Sequence, residues 1–135
     1  MQSIRTYLIT LVVFLSLDAV WLGVVAPGFY KAQIGFLLAE KPDWIAAAIF
    51  YPLFIAGLVI FVVAPGIRRG LPGAAAGRGA LFGLVTYATY DLTNQATVTG
   101  WPWLVTVVDL AWGAALNAVV AGVSVWLSLR GSRHR

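Results

Sequence analysis

The sequence predicts an all-α membrane protein, a four-transmembrane-helix bundle with both termini cytoplasmic, and three observations predict it. Of the 135 residues, 61% are hydrophobic and 10% charged, against about 45–50% and about 25% in a soluble domain. The apolar residues fall into four stretches, each close to the ~20 residues that a helix needs to cross a bilayer. The arginines collect between these stretches on one side only. Four spans leave little chain over, so residues 1–135 read as a single transmembrane domain.

Span one covers about 7–26, ends before Pro27-Gly28, and holds one charge, Asp18. Arg5 ahead of an apolar run, with Val24-Val25-Ala26 behind it, loosely resembles a cleavable signal peptide. Asp18 inside the apolar run and Pro27 directly after the site argue for a retained helix instead. Residues 27–43 mix Phe29, Tyr30, Ile34, Phe36, Leu37 and Leu38 with Lys31, Gln33, Glu40 and Lys41. Too short and too polar to cross, this segment suits an interfacial helix between spans one and two, forming a lid, or equally a loop anchored by its aromatics.

Span two covers about 44–64, with Asp43 placed as its N-cap and Pro52 near its middle. The proline removes one backbone hydrogen bond and clashes with the Ala48 carbonyl, which predicts a kink. Tyr51 or a polar group of span three is in reach to satisfy the freed carbonyl. Residues 65–78 are basic and rich in Gly and Pro, which reads as a flexible cytoplasmic loop. Its glycines precede no Lys-Ser/Thr pair, so it is no phosphate-binding loop.

Span three covers about 79–98 and changes from apolar to polar at Tyr87-Ala-Thr-Tyr-Asp-Leu-Thr-Asn-Gln-Ala-Thr97. A polar half-helix belongs against the bundle interior or water. Gly79 and Gly83 form a small-residue pair that lets another helix approach. The short link Thr99-Gly-Trp101 leads to Pro102 and span four, about 102–127, so the two spans form an antiparallel hairpin. Span four carries Asp109, Trp112, Asn117 and a second small face, Ala114, Ala118 and Gly122, before a basic tail at 128–135.

Orientation follows from charge. Arg5, Arg68, Arg69, Arg78, Arg130, Arg133 and Arg135 fall on one side and Lys31 and Lys41 on the other, a seven-to-two bias that puts both termini in the cytoplasm. Trp44, Trp101 and Trp103 then form an outer aromatic belt. The net charge of +4 is a topology signal, and nucleic acid is not an expected partner. With no cysteine and only His134 in the tail, thiolate or histidine metal sites, haem ligation and a Ser-His-Asp triad in the bundle are excluded. No lysine lies within a span to form a Schiff base. No cofactor and no metal site are implied.

The costly residues are Asp18, Asp91 and Asp109, since a charge at mid-membrane costs roughly 2.5–3.5 kcal/mol on insertion scales. At 1.5 Å per residue they lie about 12, about 10–12 and about 10 Å from the outer ends of spans one, three and four, one layer in the outer half of the bilayer. Helical spacing sets Tyr87, Asn94 and Gln95 on the face of Asp91. Trp21 follows Asp18, and Trp112 follows Asp109, by three residues. Grouped carboxyls cannot all ionise in a poorly solvated site. The cluster suits protons, a hard cation, or an amine or sugar-like group held by carboxylates and aromatic faces. The structural alternative ties helices together through Asn94, Gln95, Asn117 and threonines, at only about 0.6 kcal/mol per interhelical bond. Tyr90-Asp91 matches half of an intramembrane aspartyl protease signature, but Val107-Val108-Asp109 lacks the required Gly-x-Gly-Asp.

The runs Asp18-Ala-Val-Trp21-Leu-Gly, Phe29-Tyr30, Phe50-Tyr51, Thr89-Tyr90-Asp91-Leu92-Thr93-Asn94, Ala96-Thr97, Trp101-Pro102 and Asp109-x-x-Trp112-Gly113 resemble an uncharacterised family of small bacterial inner-membrane proteins. The resemblance spans nearly the whole chain, and Tyr-Asp-Leu-Thr-Asn is its most specific part. It implies a multi-pass bacterial inner-membrane protein with four helices and carries over no catalytic role. Three functions are expected in order: binding or transport of a small solute, cation or proton at the aspartates; a membrane-embedded enzyme on a lipid or isoprenoid substrate; and a helix-packing subunit. Membrane lipids, a homodimer mate or another membrane protein are the expected macromolecular surroundings.

Overall fold

The computed structural model describes residues 2–133, all of whose regular structure is helical. The first helix, α1, runs Gln2–Val20, passes through a π turn at Trp21–Val25 and continues as α2, Ala26–Ile34, ending in a 3-10 turn at Gly35–Leu37. α3 spans Trp44–Leu58, enters a second π turn at Val59–Val63 and continues as α4, Ala64–Arg69. α5 is Pro72–Thr97 and α6 is Trp103–Arg133. His134 and Arg135, the end of the basic tail, lie outside the described residues. Among the described residues, three helices are long and apolar enough to cross a membrane: Gln2–Leu37, Trp44–Arg69 and Trp103–Ser132.

The break expected at Pro27 does not occur, nor does a separate interfacial helix; the same helical rod continues through α2. The reason is the π turn just before it. Pro27 has no N–H and its ring crowds the carbonyl four residues back. In the π turn the Ala26 N–H bonds to the Trp21 carbonyl, five residues back, which widens the backbone where the ring must sit. The pentapeptide Val-Val-Ala-Pro-Gly recurs at Val62–Gly66, and there too the Ala64 N–H reaches five residues back, to Val59. One local sequence solves the same steric problem twice.

The loop expected over 65–78 is helical on both sides of a single break. Gly70, at φ +67°, caps α4 in the left-handed conformation, and Pro72 opens α5 at the position where a missing N–H costs nothing. Ala74, Ala75 and Ala76 favour helix strongly enough to outweigh the flanking glycines. The tail is likewise helical through Arg133, because nothing from Leu127 to Arg130 breaks a helix. Asp43 caps α3, its Oδ1 accepting from the Ile45 N–H (3.0 Å) and the Ala46 N–H (3.2 Å). α3 runs through Pro52 as one helix, and Tyr51 does not serve the proline region. Tyr7 donates to the Pro52 carbonyl at 2.9 Å, one turn on from the Ala48 carbonyl that the proline frees.

α5 and α6 pack as an antiparallel hairpin at backbone contact. A Cβ on Gly83 would sit 2.0 Å from the Gly113 carbonyl oxygen, and one on Gly79 2.3 Å from that of Asn117. The Gly79/Gly83 face is therefore used inside the chain and is not free for a second copy. One apolar core, built from Phe14, Ile55, Leu58, Val62, Val63, Ala75, Leu116, Val120, Ala121 and Val125, joins α1, α3, the second π turn, α5 and α6. A smaller cluster, Ile34, Trp101 and Val105, docks α2 onto the turn between α5 and α6. Between these two clusters lies a cavity.

Candidate functional site

The cavity has a volume of about 570 Å³ and draws its lining from α1, the first π turn, α2, α3, α5 and α6. All three aspartates line it: Asp18 from α1, Asp91 from α5 and Asp109 from α6. All three are buried, Asp91 to 1% exposure. No lysine, arginine or histidine is among the lining residues.

Two of the carboxyls have phenol partners. Tyr51 donates to Asp18 Oδ2 at 2.9 Å, and Tyr30 donates to Asp109 Oδ1. Asp91 lies beside Asp109, yet its Oδ1 is buried with no hydrogen-bond partner. A buried acceptor left unpaired costs about 1–3 kcal/mol, more when charged. The Trp112 Nε1 is also buried and unpaired, facing Asp18 without closing a bond to it.

Trp21 and Trp112 stack on one another with ring centroids 4.4 Å apart and planes 10° apart, so the two Asp-x-x-Trp units meet through their indoles. Tyr87 lines the cavity one turn before Asp91, and Gly113 makes room for it: a Cβ there would lie 2.3 Å from the Tyr87 ring. Asp18, Asp91, Asp109, Tyr87, Trp21 and Trp112 thus come together as the spacing predicts.

Asn94 and Gln95 do not join them. Gln95 is drawn to the hairpin turn, donating to the Trp101 carbonyl at 2.8 Å and accepting from the Thr106 hydroxyl at 2.8 Å. Asn94 is half-buried outside the lining. Shared helical spacing fixes direction around the axis but not depth, and both residues lie a turn nearer the helix end than the cavity reaches. Trp101 moves the opposite way. Expected in an exposed belt with Trp44 and Trp103, it is 8% exposed and lines the cavity, while those two are 73% and 65% exposed. Gly100, at φ +79°, turns the chain there, and the Trp101 Nε1 donates to the Thr106 hydroxyl at 3.1 Å.

Tyr30, Tyr51 and Tyr90 were not among the residues singled out by spacing. The available signal was the pair of Phe-Tyr doublets, Phe29-Tyr30 and Phe50-Tyr51, each carrying a phenol donor beside an apolar run. The family described as Predicted membrane protein (DUF2177) matches residues 3–126. The chain belongs to this family. The matched segment holds every residue of the cavity. Comparison with curated proteins and with solved structures gives no match. Membership makes this a membrane protein whose family has no known function, so any role for the cavity must be argued from its own chemistry.

Proposed function

We propose that this protein crosses the membrane four times, with both termini cytoplasmic, and binds a small polar solute or cation in the three-carboxylate cavity as part of a transport cycle. The observation that carries the reading is Asp91. If the aspartates served only to fasten helices, each carboxyl would be spent on a neighbouring helix. Asp18 and Asp109 accept from Tyr51 and Tyr30, but Asp91, the most buried of the three, meets another carboxyl, that of Asp109, and its Oδ1 has no donor. Volume supports the same reading, since ligand pockets run about 300–1,000 Å³.

Four spans are supported by α5, whose Thr86, Tyr87, Tyr90 and Asp91 line the cavity and whose glycines seat it against α6. Common sidedness of the termini is supported by Arg5, whose guanidinium packs against Gly131. The test is uptake of solutes into proteoliposomes under an imposed pH gradient. Saturable uptake lost in Asp91→Asn is the expected result; uptake that is equal in the variant contradicts the proposal.

An enzyme acting on a lipid is the second reading. It is favoured by cavity walls that also reach the protein surface, where Leu22, Leu38, Phe50 and Tyr90 are all exposed and would meet lipid. Two carboxyls side by side, Asp91 and Asp109, are suited to exchange a proton with a reacting group. That reading predicts an altered lipid profile in a deletion strain, restored by the wild-type protein and not by Asp109→Asn.

A further inference from the structure

We propose that the cavity's ligand is an organic ammonium ion, seated with its charge at Asp91 and its carbon substituents against the surrounding aromatic rings. This inference rests on the reading of the cavity as a ligand site and names its chemical class. Four observations lead to it.

The first is charge. The lining holds three carboxyls and no basic side chain, so whichever of them ionises has no counter-charge in the wall, and a bound cation supplies one. The second is the open valence at Asp91 Oδ1, an acceptor with nothing donating to it. Oδ1 is itself closed off from the cavity, so the ammonium is drawn by the charge of the adjoining Asp91 and Asp109 carboxyls without touching that atom.

The third is the shape of the acidic cluster. Among the described residues no three of Asp, Glu, His or Cys converge closely enough to hold a metal ion. A hard inorganic cation needs several oxygens at about 2.0–2.6 Å, and a cavity of about 570 Å³ is far larger than such a shell. An organic cation fits both the spread of the carboxyls and the volume.

The fourth is the wall. Aromatic rings come from separate elements: Trp21 from the first π turn, Tyr30 from α2, Tyr51 from α3, Tyr87 from α5 and Trp112 from α6. Aromatic faces attract cations through their quadrupoles, and rings collected around a carboxylate are how proteins recognise ammonium groups. A sugar-like ligand would instead call for many directional donors and acceptors, whereas the phenol hydroxyls of Tyr30 and Tyr51 are already committed to Asp109 and Asp18.

Such a ligand has two sources, a free amine or the amine headgroup of a lipid, and the test separates them. Purified protein in a maltoside detergent is titrated calorimetrically with choline, with ethanolamine, with 3,3-dimethylbutan-1-ol as the uncharged isostere of choline, and with dihexanoyl phosphatidylcholine and phosphatidylethanolamine. The expected result is saturable binding of at least one ammonium compound, with the isostere weaker by about tenfold or more. Asp91→Asn should abolish that binding. Trp112→Ala should weaken it, and Trp112→Phe, which keeps a ring and a safer fold, should retain most of it. Binding confined to the dihexanoyl lipids assigns the headgroup source, and binding of the free amines assigns the soluble one.

Equal affinity for choline and its isostere overturns the ammonium assignment while leaving the cavity a ligand site. So does an absence of ammonium binding in a protein that still takes up an uncharged solute in an Asp91-dependent manner. If no probe binds and no uptake depends on Asp91, both the assignment and the underlying reading fall.

Discussion

Trp21 and Trp112 lie face to face, 4.4 Å between centroids and 10° between planes, and join the first π turn to α6 beside two buried aspartates. Each follows its aspartate by three residues, so one stacking contact fixes the positions of Asp18 and Asp109 together. Aromatic pairs contribute about 0.5–1.5 kcal/mol beyond their burial. A double-mutant cycle of Trp21→Ala and Trp112→Ala should give a coupling energy of that order in chemical unfolding. Additive single effects would show that the stack does not hold the two aspartate helices in register.

The α5–α6 hairpin depends on bare backbone at its crossing. A side chain at Gly83 meets the Gly113 carbonyl, where nothing flexible can yield. Gly83→Leu should prevent the two helices from closing and leave the protein aggregated or unable to accumulate in the membrane. Gly57→Ala is the matched control, because its Cβ meets only the Phe82 ring edge at 3.6 Å, and it should change stability by well under about 1 kcal/mol.

The chain has no cysteine, so single-cysteine variants report topology without background. A cysteine at Leu71, between α4 and α5, and one at Thr99, between α5 and α6, both exposed, should label from opposite faces of a sealed vesicle. Labelling of both from one face would remove α5 as a span and, with it, the placement of both termini on the same side.

The membrane class, the N-cap at Asp43 and the meeting of six site residues were legible because they depend on composition and on spacing along one helix. Hydropathy and the period of 3.6 carry that information directly. Where a helix stops was less legible. Pro27 and Pro65 look like breakers, and the two π turns that let helix run past them leave no hydropathy signal. Sequence also did not distinguish depth from direction. Gln95 shares the face of Asp91 but is claimed by Trp101 and Thr106 in the hairpin turn, and Trp101, an expected surface tryptophan, is folded inward by the left-handed Gly100. Tyr30 and Tyr51 acquire their meaning only from partners 79 and 33 residues away, separations that no local pattern encodes.

The central claim is that Asp91 is kept for a ligand and not for packing, and thermal unfolding of the wild type against Asp91→Asn in the same detergent tests it most directly. Replacing one of two adjoining buried carboxyls by an amide removes their mutual repulsion and the cost of burying the charge, and should raise stability by about 1–3 kcal/mol, even as ligand binding is lost. A variant that unfolds earlier than the wild type would contradict the account and make Asp91 a packing residue.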